Sequence, residues 1–267
     1  MTEYIVTGIP RSGTSLVLSL LESNKNVLCF SEPPWIKSIR DASDSGTQLI
    51  KSLKQKLVSL RNDIAQGNSI EMVYQEGRNN SPDNYFKRES GTIKKNRKNH
   101  RVILDKHHSK SCFVIKANAI FTATLDDFIR DNWHIVPVVR DPLFVLMSWN
   151  TVPIASSKGK VKVVEKFSKT LKEIGQQTPL IKRQVLLLDW YFKQYERFGK
   201  EHVLYYEDLI KNPDYEINKF FPNKQSKINI LTSKNTNNRY TNEPVDFYKK
   251  ALKKYGNSLN NFYSGYN

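Results

Sequence analysis

The densest chemistry in the chain lies in Gly8-Ile9-Pro10-Arg11-Ser12-Gly13-Thr14-Ser15. An apolar run, Tyr4-Ile5-Val6, leads into it, and Leu16-Val17-Leu18 with Leu20-Leu21 leads out. Strand, glycine-bounded loop and helix in that order aim backbone N–H groups and the positive helix end at an anion. A nucleoside-triphosphate loop would carry lysine at the position of Thr14, so a different anion is expected here. Arg11 is the cation inside the turn; Ser12, Gly13, Thr14 and Ser15 offer amides and hydroxyls. Two glycines alone also suit a plain strand-to-helix turn, and it is the Pro-Arg-Ser-Gly-Thr-Ser core that argues for a ligand.

Three further stretches carry usable groups. Ser31-Glu32-Pro33-Pro34-Trp35 places a carboxylate where paired prolines stop a strand. Val138-Val139-Arg140-Asp141-Pro142 puts a guanidinium at a strand end, followed by Asp and Pro as helix-start signals. Tyr205-Tyr206-Glu207-Asp208-Leu209 follows another short apolar run. His107 and His108 suit proton transfer by their ordinary pKa, but an adjacent pair in a basic stretch equally suits a solvated surface. Each histidine therefore competes with Glu32 as a candidate base.

Strands expected at 3–7, 26–30, 102–104, 112–115, 134–139 and 202–205 alternate with helices at 14–23, 47–66, 119–130 and from 142 to about 149. Helices near 162–174, 179–198 and 245–255 follow, with Pro213 interrupting one after residue 207. Such alternation argues an α/β fold, a parallel sheet covered by helices on both faces in three layers. In such sheets ligands sit at the carboxyl ends of the strands, where all four chemical stretches fall. One domain over 1–267 is expected, with a variable insertion or lid at about 67–101 and a flexible tail from about 256.

The 267 residues carry a formal charge of +16, which implies an anionic partner. Cys29 and Cys112 lie in apolar runs and read as buried reduced thiols without metal-ligand spacing. The start has no basic leader, and no stretch reaches the roughly 18–20 apolar residues of a membrane span. A cytoplasmic protein without a transmembrane segment is the expectation.

Together these stretches resemble the sulfotransferases that use 3′-phosphoadenosine 5′-phosphosulfate (PAPS), with a P-loop-like nucleotide-binding fold. Pro10-Arg11-Ser12-Gly13-Thr14-Ser15 is similar to the family's 5′-phosphosulfate loop, in the arginine form of carbohydrate and bacterial members. Arg140 with Ser148, eight residues apart, resembles its 3′-phosphate motif. Ser148 lies about two turns into the following helix, roughly 10 Å along its axis, where an extended Arg140 would meet it at one phosphate. Tyr206 resembles the tyrosine that lies near adenine, and Glu32 belongs to a stretch similar to the Glu-Pro-x-Trp of carbohydrate members. The resemblance implies PAPS as donor, no metal, Arg11 and Glu32 as catalytic groups, and Arg239 as a residue closing over the nucleotide. It implies a hydroxylated acceptor, a glycan or small metabolite, and no specific nucleic acid. One departure bears on the base: where phenol and steroid enzymes carry Lys-x-His, this chain has Lys116-Ala117-Asn118. A P-loop phosphotransferase is the alternative reading, and a nucleic-acid-binding protein driven by charge is a third, with no binding motif behind it.

Overall fold

The structure is a computed structural model that describes residues 3–74, 86–89, 92–95, 98–222 and 231–266. In chain order the first elements are β1 (Glu3–Gly8), α1 (Thr14–Leu21), β2 (Val27–Ser31), α2 (Pro34–Ala42), α3 (Gly46–Gln66) and β3 (Ile70–Tyr74). Next come β4 (Phe86–Glu89), β5 (Thr92–Lys95), β6 (Lys98–Val102), β7 (Cys112–Lys116), α4 (Asn118–Ala123), α5 (Leu125–Arg130) and β8 (His134–Val139). The remainder is α6 (Pro142–Asn150), α7 (Lys169–Ile174), α8 (Leu180–Tyr195), β9 (Leu204–Tyr205), α9 (Tyr206–Lys211), α10 (Pro213–Phe220) and α11 (Val245–Tyr255).

Five of these strands form one parallel sheet in the order β2-β7-β1-β8-β9. Alternate side chains enter two cores, as the period of two requires. Ile5, Phe30, Phe113 and Ile115 join the core beneath α3 and α8, while Val6, Cys29, Val114 and Val138 join that beneath α1 and α10. Burial on both faces explains why each strand reads as an unbroken apolar run. The fold is the α/β class expected from the sequence.

Local differences from the sequence reading have local causes. The single helix expected at 119–130 is two, and at the break Thr124 Oγ1 donates to the Ile120 carbonyl at 2.8 Å. Pro34, expected to end a strand, also occupies the first turn of α2. The strand expected at 102–104 is β6, ending at Val102 and running antiparallel to β3. The expected insertion at 67–101 thus carries β3 and β6, with β4 paired to β5 between them; its residues 75–85, 90–91 and 96–97 lie outside the described residues. Residues 256–266, read from the sequence as a tail, lie against the domain. Leu259 and Tyr266 join the main core, and Asp189 on α8 accepts the backbone N–H groups of Asn257 and Leu259 at 2.8 and 3.1 Å. No helix among the described residues is long and apolar enough to cross a membrane.

Candidate active site

Because the five strands are parallel, all their carboxyl ends lie on one edge. Sheet order therefore sets out the residues that follow them as a row: Glu32 after β2, Lys116 ending β7, the Arg11 loop after β1, Arg140 after β8, Tyr206 after β9. At about 4.8 Å between strands, that row spans a nucleotide-sized ligand.

The loop after β1 is bound tightly to its surroundings. Ile9 N–H and Ser12 Oγ both donate to the Val138 carbonyl, at 3.2 and 2.8 Å, and Trp149 Nε1 donates to the Pro10 carbonyl at 2.7 Å. The Ser12 hydroxyl, expected to face an anion, is thus committed to the sheet. Arg11 sits at φ 76, a left-handed conformation that costs a non-glycine residue of order 1 kcal/mol or more. Gly13 caps α1 at φ 97 without a side-chain bond, so the helix opens on backbone amides. Thr14 is buried and Ser15 half-buried in the first turn.

Arg140 is 4% exposed, yet no carboxylate lies within ion-pair distance of it among the described residues. Its Nε donates to Asn235 Oδ1 at 2.7 Å and its Nη1 to the Arg11 carbonyl at 3.1 Å. Its Nη2 is buried with no partner among the described residues, and the guanidinium lies 4.7 Å from the centre of the Tyr206 ring. A buried cation without a carboxylate partner is costly. Arg11 lies close enough to be affected: burial first, then the charges of Arg140 and Arg239, hold its guanidinium below the usual arginine range, with Tyr240 opposing. Three arginines thus converge from three segments. Arg239 is exposed, with its backbone N–H on Asn237 Oδ1 at 3.0 Å.

Ser148, paired with Arg140 in the sequence reading, bonds to the other arginine here. Its Oγ accepts from Arg11 Nε at 3.0 Å, so in this arrangement it serves the first arginine and not Arg140. The reason is geometric: Trp149 holds the loop against α6, bringing Arg11 over that helix.

At the other end of the row Lys116 Nζ donates to Glu32 Oε1 at 2.6 Å, and Glu32 N–H donates to the Lys116 carbonyl at 2.7 Å. The Lys116 side chain is 6% exposed and that of Glu32 35%, so the carboxylate is the reachable partner. Glu32 adopts φ 45; with Arg11 and Asn132 it completes the non-glycine residues at positive φ among those described. Asn118 stands just past Lys116 with a buried Oδ1 lacking a partner among the described residues. Trp35 is core, 7% exposed and edge-on to Phe30. His107 and His108 sit in a 3-10 turn just before β7, at the opposite edge. A five-residue strand, about 16 Å at the usual rise, separates them from Lys116.

Sequence reasoning passed over Asn235, Trp149 and the carboxylate role of Glu207, whose Oε1 accepts from Asp141 N–H and Asn235 Nδ2 at 3.1 and 3.0 Å. Glu207 had a signal, its place beside Tyr206. Asn235 had none, since it lies in an asparagine-rich stretch of uniform composition.

A parallel sheet with a glycine-bounded loop and two arginines at its strand ends has the layout of a P-loop-like nucleotide-binding fold. The family described as the sulfotransferase domain matches residues 1–250, and the chain belongs to it: it is a PAPS-dependent sulfotransferase. No curated protein matches the sequence. The residues fit the donor on their own evidence. PAPS carries a 5′-phosphosulfate and a 3′-phosphate, and the chain presents an amide-lined helix start beside Arg11 and a buried Arg140 Nη2 that has no partner among the described residues.

Proposed function

We propose that the enzyme transfers the sulfuryl group to a hydroxyl of a glycan or small metabolite, with Glu32 as base and Arg11 as the group that stabilises the leaving side. The observation that supports this is the order of strand ends: a reachable carboxylate, then the arginine loop, then the buried arginine, then the aromatic ring. When bound, PAPS supplies the sulfur and the bridging S–O bond that breaks. The acceptor oxygen forms the new bond to sulfur, its proton passes to the Glu32 carboxylate, and the electron pair of the broken bond stays on the 5′-phosphate. Arg11 and the amides heading α1 meet that growing charge, a contribution typically of a few kcal/mol for a preorganised donor. Lys116 fixes the direction of the Glu32 carboxylate. Arg140 holds the 3′-phosphate, Tyr206 lies along the base, and Arg239 closes from the exposed side. Buried Cys29 and Cys112 support a reducing, cytoplasmic setting.

Glu32→Gln tests the reading, because it keeps the shape and removes the proton acceptor. Transfer of label from PAPS to hydroxylated acceptors is expected to fall about 10²–10⁴-fold with bisphosphate affinity nearly unchanged, while the melting temperature drops because buried Lys116 loses its carboxylate partner. Transfer at the parent rate would remove Glu32 from the mechanism.

A further inference from the structure

The matched family region ends at residue 250, yet residues beyond it reach the second anion site. Tyr263 OH donates to Glu207 Oε2 at 2.8 Å, and Tyr266 OH donates to Asp141 Oδ1. Glu207 Oε1 takes the Asn235 amide N–H, which turns Asn235 Oδ1 toward Arg140 Nε. Asp141 is the residue after Arg140 and caps α6 through Leu143 N–H at 2.9 Å. Asp141 thus follows Arg140 in the chain and Glu207 reaches it through Asn235, neither pairing with the guanidinium, and each carboxylate is engaged by a phenol from residues 263–266.

That arrangement bears on the charge of the site. If either carboxylate swung onto Arg140, the cation would be neutralised and its open Nη2 closed to phosphate. A phenol O–H occupies a carboxylate oxygen without supplying a positive charge, so it restrains the acid while leaving the arginine's charge intact. Burial, reinforced by Glu207 and Asp141 respectively, pushes the Tyr263 and Tyr266 phenols above their ordinary range, so both remain donors at working pH.

We infer that Tyr263 and Tyr266 are positioning residues for donor recognition: they hold Glu207 and Asp141 off Arg140 and so keep it available to a 3′-phosphate. This rests on the reading of Arg140 as the 3′-phosphate ligand. The test is calorimetric binding of adenosine 3′,5′-bisphosphate and of 5′-AMP to the full chain carrying Tyr263→Phe and Tyr266→Phe. The phenyl rings keep the packing. Affinity for the bisphosphate is expected to drop about tenfold, the size of one net hydrogen-bond contribution, with 5′-AMP changing less than about twofold. Adding Glu207→Gln to Tyr263→Phe removes the competing charge and is expected to restore the preference lost in the single variant, a rescue that a purely structural role does not give. Each single Phe variant is measured as well, so poor folding of the double variant leaves the ratio readable. Equal losses for both ligands, an unchanged ratio, or no rescue would overturn the inference. Arg140→Ala separates the two readings: if it collapses the preference while the tyrosine variants keep it, only the inference fails. If Arg140→Ala leaves the preference intact, the assignment of Arg140 fails first.

Discussion

Arg11 combines three properties seldom found on one side chain: a left-handed backbone, a half-buried guanidinium, and an electrostatic environment made by two other arginines. The conformation is maintained by the contacts of Pro10 and Ser12 on either side of it. A residue strained into place beside like charges gains most when a dianionic charge develops in front of it. Arg11→Ala is therefore expected to lower turnover at saturating PAPS by about 10²–10³, more than it lowers bisphosphate affinity. Arg11→Lys should recover part of the turnover, since lysine brings the charge without the planar fork that reaches Ser148. Near-normal turnover in the alanine variant would contradict the assigned role. The type and place of Arg11 were legible in the sequence. Its partner was not, because the spacing of Arg140 and Ser148 along the chain says nothing of which arginine the tertiary contacts of Trp149 bring over α6.

At the scale of elements, the loop and α1 depend on the absence of a side chain at Gly13. A Cβ there would lie 2.8 Å from Cδ2 of Tyr206, on a backbone at φ 97. Gly13→Ala must therefore push the loop away from Tyr206 or abandon the left-handed cap. A cost of about 1–3 kcal/mol in folding stability is expected, measured by denaturant unfolding, together with weakened bisphosphate binding by calorimetry. Unchanged values for both would show that the loop and Tyr206 are not locked together. Elements of this kind were readable wherever one local rule dominated. The apolar strands, the Gly67 cap of α3 and the Asp141-Pro142 start of α6 follow from neighbours in sequence. α2 was missed because a proline pair signals both a strand stop and a helix start. The ion pair of Glu32 with Lys116 was hidden for another reason: it joins neighbouring strands 84 residues apart, and only sheet order brings them together.

The whole molecule is a sheet whose carboxyl edge is met by segments distant in sequence, among them the one from Asn257 to Tyr266, which bonds to Asp189 and to Asp141. Asp189 on α8 ties down that segment. Its carboxylate accepts backbone N–H groups at its start, and burial raises its pKa above the ordinary 3.8 despite those bonds. The folded chain thus holds this proton more tightly than the unfolded chain. As pH rises from the ordinary aspartate value toward the raised folded value, the unfolded state loses the proton first, and stability falls across that interval and stays lower above it. Asparagine can accept the same N–H groups without a buried charge. Asp189→Asn is therefore expected to gain in melting temperature relative to the parent between about pH 3 and about pH 7. About 1 kcal/mol corresponds to roughly 2–4 °C for a chain near this size, so calorimetric scans at the two pH values resolve the effect. A melting-temperature difference that does not change with pH would show that the Asp189 carboxylate titrates alike in the folded and unfolded chain, and that docking of the C-terminal segment carries no such penalty.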